Sequence, residues 1–542
     1  MQPNTDDNPA DTAPPSHQAV GASVGDGMTW LTLATLFARF STFISQWIVG
    51  LVLSAREFGL YSTAIALSGF LTVCRDAGTG YILVHRGREA YEDNAGQAFW
   101  MGITYNLAIL LLTIVLAGPI AAFYKADELV WLLIILAASL LPNSIASVLY
   151  TRLRLDLRFK AVSAIATVSG LARQASLIAF VMSGMGVMSF AWSAMVCCVV
   201  DALCLWWLTR DAVWLRAPRF SRWGQWAGAS FWLMLASLAN FGMDYAPFLV
   251  LGRMLGGDSD IIGYYSFAYQ ITAQIGVLLA FNSALVLTPV LQRLGAEPER
   301  QAQATLRALR SLMMIGSVAT MGLASIFAPL ENLLWSEKFT QSVQTLVVLA
   351  LFYPWRITYG VTASILNAKG QFRRLTWLSG VECVGLFAVS FAAGMAAPTP
   401  VGIALWTGGW IMLIRVVFTI MVFRPLGASI PSTLNAMFPA WLLCIVSLGV
   451  TILISRHLGF DAFAQTLVHR FLPASAPWDG RLADIIRVLL HGTLFATLAF
   501  ALLRMLLREH LLDLLVVAPA RLRPLLARVL LLRRQPLADD QR

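Results

Sequence analysis

The sequence predicts an all-α polytopic membrane protein with about 14 transmembrane helices, arranged as two six-helix lobes plus two C-terminal helices. Three observations predict it. Of 542 residues, 58% are hydrophobic and 13% charged, whereas soluble domains hold about a quarter charged residues. Apolar stretches of about 20 residues recur from end to end, each long enough to cross a ~30 Å hydrocarbon core as a helix. Basic residues alternate between rich and poor connections, as they do when successive loops lie on opposite sides of a membrane.

Residues 1–27 contain four Asp, no Lys or Arg and no apolar run. They read as a disordered cytoplasmic tail rather than a signal peptide. Spans are then expected at about 29–53, 58–84, 98–123, 128–150, 161–183, 187–209, 226–252, 261–290, 311–334, 343–366, 374–397, 401–423, 435–455 and 485–507. With the N-terminus inside, the even connections and the C-terminal tail carry 26 Lys and Arg, and the odd connections carry 7. Both termini are therefore expected in the cytoplasm. The net charge of +10 then serves anionic headgroups, and no nucleic acid is implied.

Two short echoes divide the chain. Gly59-x-Tyr61-Ser62-x-Ala64 after the first span matches Gly263-x-Tyr265-Ser266-x-Ala268 after the seventh, and "LPNSIASVLYTRLRLDLRF" (141–159) matches "YPWRITYGVTASILNAKGQFR" (353–373). An even number of spans per repeat makes the halves parallel, related by an axis along the membrane normal. The expected units are an N-terminal lobe over 28–209, a cytoplasmic linker at 210–225, a C-terminal lobe over 226–423, extra spans within 424–507 and a basic amphipathic tail at 508–542. The Arg- and Trp-bearing linker reads as an interfacial, solvated connector.

No motif for soluble chemistry is present: there is no Walker A sequence, no GxSxG and no HExxH. All six cysteines fall in expected spans without a CxxC pair, which argues against disulfides and zinc; no cofactor is expected. His457 and His469, in the longest outer connection (456–484), lack a third ligand and read as interfacial residues.

Charges inside spans are the informative feature. Arg39, Arg173, Arg356 and Arg415 lie within about three residues of their span centres, and Arg75 nearer the cytoplasm. A central Arg costs about 2.5–3.5 kcal/mol on insertion scales, so such residues either serve function or are hidden in pairs. The available acids are Asp76, Asp201, Asp244 and Glu382. Arg can hold a diphosphate through bidentate bonds, and its charge does not titrate away. Arg39, Arg173, Arg356, Arg415 and Asn240 are thus candidates for binding a diphosphate and glycan, with helix-to-helix ion pairs as the competing role. Asp244 and Glu382 are candidates for ion coupling. Pro247, close to Asn240, Gly242 and Asp244, is a candidate helix break or hinge. Gln270 and Gln274 could bond a sugar or a neighbouring helix.

The stretch "LSAREFGLYSTAIALSGFLTVCRDAGTGYILVHRG" (53–87), with Glu57-Phe58-Gly59-Leu60-Tyr61 and Asp76-Ala77-Gly78, resembles the polysaccharide transporters of the multidrug/oligosaccharidyl-lipid/polysaccharide superfamily, the Wzx-type flippases. The usual Leu-Gly-Pro before the acidic residue is replaced here by Leu53-Ser54-Ala55-Arg56. The resemblance implies two lobes around a central cavity. It also implies translocation of a polyprenyl-diphosphate-linked oligosaccharide from the cytoplasmic to the periplasmic leaflet of a bacterial inner membrane. The pathway would be exopolysaccharide, capsule or O-antigen assembly, with membrane lipids and polymerase or export proteins as partners. Competing readings are a peptidoglycan-precursor flippase, a multidrug/cation antiporter of the same superfamily, and an integral-membrane glycan polymerase or ligase.

Overall fold

The computed structural model describes residues 38, 40–73, 91–156, 158–217, 223–256, 259–293, 298–471 and 479–517, and contains helices and no strand among them. The first lobe holds α1 (Phe40–Val52), α2 (Ala55–Val73), α3 (Tyr91–Tyr124), α4 (Leu129–Ala138), α5 (Leu140–Leu155), α6 (Phe159–Met182) and α7 (Met188–Thr209). The second holds α8 (Trp223–Leu255), α9 (Asp260–Arg293), α10 (Pro298–Trp335), α11 (Thr340–Ala368), α12 (Phe372–Ala396) and α13 (Pro400–Phe423). Beyond it come α14 (Ile430–His457), α15 (Phe460–Phe471), α16 (Asp479–Leu506) and α17 (Arg508–Val517).

Ten helices among the described residues are long and apolar enough to span a membrane. The chain is a multi-pass, all-α membrane protein. The other four expected spans, the first, second, seventh and eighth, fall on α1, α2, α8 and α9. Those helices meet between the lobes, where α2 packs on both α8 and α9.

Local chemistry sets the elbow before α2. Ser54 and Glu57 form a capping box: the Ser54 amide donates to Glu57 Oε2 at 2.8 Å, and the Glu57 amide donates to Ser54 Oγ at 3.3 Å. Two otherwise unpaired amides at the helix start are satisfied. Phe58 then turns into an aromatic cluster, with ring centroids 5.6 Å from Phe267 and 5.7 Å from Phe339.

One helical turn on, the two echoed motifs touch. Ser62 and Ser266 hydroxyls are directly hydrogen-bonded across the lobes. Gly59 and Gly263 permit this: a Cβ on Gly59 would sit 2.7 Å from the Ser259 carbonyl, and one on Gly263 only 1.8 Å from that of Ala55. Small residues let helix backbones approach this closely in membranes. Beside them, the Trp335 indole donates to the Trp47 carbonyl and the Trp47 indole to that of Leu334, both at 3.1 Å. Lys338 Nζ donates to the Leu51 carbonyl at 3.1 Å, a cation placed at the C-terminal end of α1.

Inside the first lobe, α3 packs on α4 and α5, and α7 on α5 and α6; in the second, α11 packs on α9, α10 and α13, and α8 on α12. Helices α14 and α16 pack on α10 and on each other. Helix α17 is tied to the same α10, where Arg310 and Arg307 reach Asp513 at 2.9 and 3.5 Å.

The linker departs from the solvated connector expected from its composition. Asp211, 5% exposed, takes Arg152 and Arg216 at 2.8 Å each and the Tyr91 hydroxyl at 3.2 Å. The Trp100 indole donates to the Arg216 carbonyl at 2.8 Å. Composition could not show this, because Tyr91 and Trp100 lie more than a hundred residues upstream of the groups they meet. Residues 211–216 are therefore fastened to the first lobe. Replacing Asp211 by Ala leaves two guanidinium groups short of their acceptor and should cost about 1–3 kcal/mol, measured as a lower melting temperature of the purified protein.

Candidate functional site

Four helices of the second lobe bring together most of the sequence candidates. Asn240 and Asp244 stand one turn apart on α8, Arg356 and Tyr359 on α11, Ser379 and Glu382 on α12, and Arg415 on α13. This i,i+3 or i,i+4 spacing puts each pair on one face of its helix. Helix α8 packs on α12, and α13 packs on α11 and α12.

Arg356 forms an ion pair with Asp244 and donates to the Met243 carbonyl at 3.2 Å. Its guanidinium lies 5.5 Å from the Tyr269 ring and 5.9 Å from that of Tyr353, within cation–π range. The pair is asymmetric: the Arg356 side chain is 19% exposed, the Asp244 side chain 54%. Arg415 meets Glu382 at 2.7 Å with both side chains almost wholly buried. Arg415 also covers the Tyr359 ring at 4.6 Å. The Tyr359 hydroxyl, in turn, donates to Asn240 Oδ1 at 2.6 Å. Among the described residues, Glu382 Oε2 and Arg415 Nε have no hydrogen-bond partner, so the buried pair is under-satisfied.

The two pairs differ in what they can do. Arg415–Glu382 is closed to solvent and joins α13 to α12. Arg356–Asp244 is reachable through its carboxylate, so an arriving ion can compete for either partner. Both arginines thus have carboxylate partners in this conformation. That is the pairing role set against anion binding in the sequence, with Asp244 and Glu382 as the acids.

Arg173 lies elsewhere. On α6 of the first lobe, it lines a cavity of about 220 Å³ together with Gln174, Gln46, Tyr61 and Gln270. Asp201, the third acid considered, accepts from the Tyr150 hydroxyl at 3.1 Å. Arg39, Arg75 and Asp76 lie outside the described residues. Pro247 sits within α8, which continues through it without a break. Gln270 makes the contact between helices anticipated for it, where Gln46 Nε2 of α1 reaches its Oε1 at 3.5 Å; within α9 its own amide donates to Ser266 Oγ at 3.0 Å.

Sequence reasoning missed Tyr359, Gln46 and Gln174. A signal was available for each. Tyr359 follows Arg356 by three residues, the spacing that stacks side chains on a helix, and amides within apolar spans seek partners just as charges do.

The profile of a family described as "Polysaccharide biosynthesis protein" matches residues 30–367, a stretch that takes in the elbow, the touching motifs and Arg356. The chain belongs to that family. Among curated proteins it is similar to the teichuronic acid biosynthesis protein TuaB of Bacillus subtilis, 24% identical over 83% of this chain and 90% of that one. It also resembles the succinoglycan biosynthesis transport protein ExoT of Rhizobium meliloti, 25% identical over 66% and 71% of the two chains. In fold, this family member is similar to the lipid II flippase MurJ in an inward closed conformation. The TM-score is 0.66 at 14% identity, covering 88% of this chain and 99% of that one.

Proposed function

We propose that this protein is a flippase that moves a polyprenyl-diphosphate-linked oligosaccharide from the cytoplasmic to the periplasmic leaflet of a bacterial inner membrane, for exopolysaccharide, capsule or O-antigen assembly. The observation that carries the reading is Arg356, a mid-span guanidinium whose carboxylate partner Asp244 is half exposed, in a chain of the polysaccharide biosynthesis family. A diphosphate crossing a low-dielectric region needs a fixed counter-charge, and Arg supplies it bidentately. In the first half, Arg173 and Arg39 are further cations available to the glycan part of the substrate.

Asp244 makes the site switchable. A proton or sodium ion taken up by Asp244 frees Arg356 for the diphosphate; loss of that ion returns Arg356 to its carboxylate. With both termini cytoplasmic, the elbow end of α2 and the start of α9 face the periplasm, so the seam at Ser62 and Ser266 closes that side. Rocking of the two lobes about such a seam is alternating access.

Arg356→Ala should lower glycan export about tenfold or more at unchanged protein level, the loss of a charge-assisted contact being worth ~1.5–3 kcal/mol. Lys should rescue it in part. Deleting the gene should leave lipid-linked repeat units on the cytoplasmic leaflet. Their appearance on the periplasmic leaflet would instead identify a polymerase or ligase step.

A further inference from the structure

The cavity beside the seam differs in kind from the charged network of the second lobe. It is bounded by α1 (Thr42, Gln46), α6 (Arg173, Gln174), the stacked rings of Tyr61 and Phe190 (centroids 3.7 Å apart), and Gln270 of α9. Both lobes therefore contribute to it.

Its chemistry points to one class of ligand. Glutamine amides offer donors and acceptors together, and so do hydroxyls such as that of Thr42. Among the described residues that line it, Arg173 supplies the cationic charge. A diphosphate calls for acceptor-free donors and more than one positive group, whereas a sugar ring presents alternating hydroxyl donors and acceptors with an apolar face for an aromatic side chain. Size points the same way. Pockets for drug-sized ligands run to about 300–1,000 Å³, so about 220 Å³ takes a single sugar ring and excludes an oligosaccharide diphosphate.

We infer that this cavity is a monosaccharide subsite, in which the three glutamines and Thr42 read ring hydroxyls and Arg173 selects a sugar bearing one carboxylate. The inference rests on the flippase reading and adds the class of residue in the glycan that is inspected. Occupancy also reaches the seam. Gln270 donates to Ser266 Oγ at 3.0 Å, and Ser266 is bonded to Ser62 of the other lobe. A sugar hydroxyl that takes the Gln270 amide removes that support from the lobe-to-lobe contact.

The test uses the full-length protein purified in a detergent without a sugar headgroup, with methyl β-glucoside, methyl β-glucuronide and inorganic diphosphate as probes. Both glycosides should raise the melting temperature, by about 1–2 °C near saturation, and the glucuronide more strongly. Gln46→Leu and Gln174→Leu should remove both shifts, while Arg173→Gln should remove only the advantage of the glucuronide. Stabilisation by diphosphate without either glycoside would overturn the inference and make this an anion site. Absence of any shift, or shifts that survive both Gln→Leu changes, would overturn it too. The flippase reading is tested separately, by the leaflet on which lipid-linked units accumulate when the gene is deleted. It survives if the glycosides fail to bind, and falls if that leaflet is periplasmic.

Discussion

Arg415→Ala is expected to be the most destabilising single substitution in the second lobe, costing about 3–5 kcal/mol. Removing the guanidinium leaves Glu382, 3% exposed, as an uncompensated charge among apolar helices, with one oxygen already unpartnered. The Tyr359 ring would lose the cation above it. The double change Arg415→Met with Glu382→Leu should recover most of the loss, because two apolar side chains of similar volume need no desolvation. Melting temperatures of Arg415→Met, Glu382→Leu and the double variant give the coupling directly. If Arg415→Ala alone melts like the parent, the pair contributes nothing to the fold and Arg415 is again a candidate cation for the cavity.

The second large effect concerns movement. A disulfide between Cys residues introduced as Ser62→Cys and Ser266→Cys should form readily, since the two hydroxyls are in direct contact. It should hold the lobes together at that end. Export should fall to background under a membrane-permeable oxidant and return on reduction, while either single Cys variant stays active under both conditions. Full export by the oxidised, cross-linked protein would show that the seam does not open during transport, and rocking about it would have to be abandoned. Sugar binding at the neighbouring cavity should slow the cross-linking.

Much of this arrangement is legible in the residues, and what is not has identifiable causes. The membrane class follows from apolar length and from basic alternation, which are local properties. Glu57, Phe58 and Gly59 stand out as a motif, and in the structure Glu57 caps α2, Phe58 packs among aromatic rings and Gly59 admits the facing backbone. The echo between Gly59–Ala64 and Gly263–Ala268 is visible as repetition. That the copies touch is not, because a spacing of 204 residues carries no information about contact. Likewise Arg356, Arg415, Asp244 and Glu382 are conspicuous by depth alone. Which acid meets which arginine depends on α13 packing on α12 and on α8 lying near α11, and helix neighbours cannot be read from hydropathy. The glutamine cavity is legible only in part: Gln270 stands out in its span, but Gln46 and Gln174 join it only because α1 and α6 line the same cavity.

The seam between the lobes is a surface patch meeting its own copy, the arrangement that isologous dimers use. Complementarity then needs no separate adjustment of two unlike surfaces: a side chain that fits on one half already has its counterpart on the other. The same property makes the contact vulnerable. A bulky residue at Gly263 would press on the Ala55 carbonyl, and relief would require a change in the opposite copy. Each half therefore limits what the other can become.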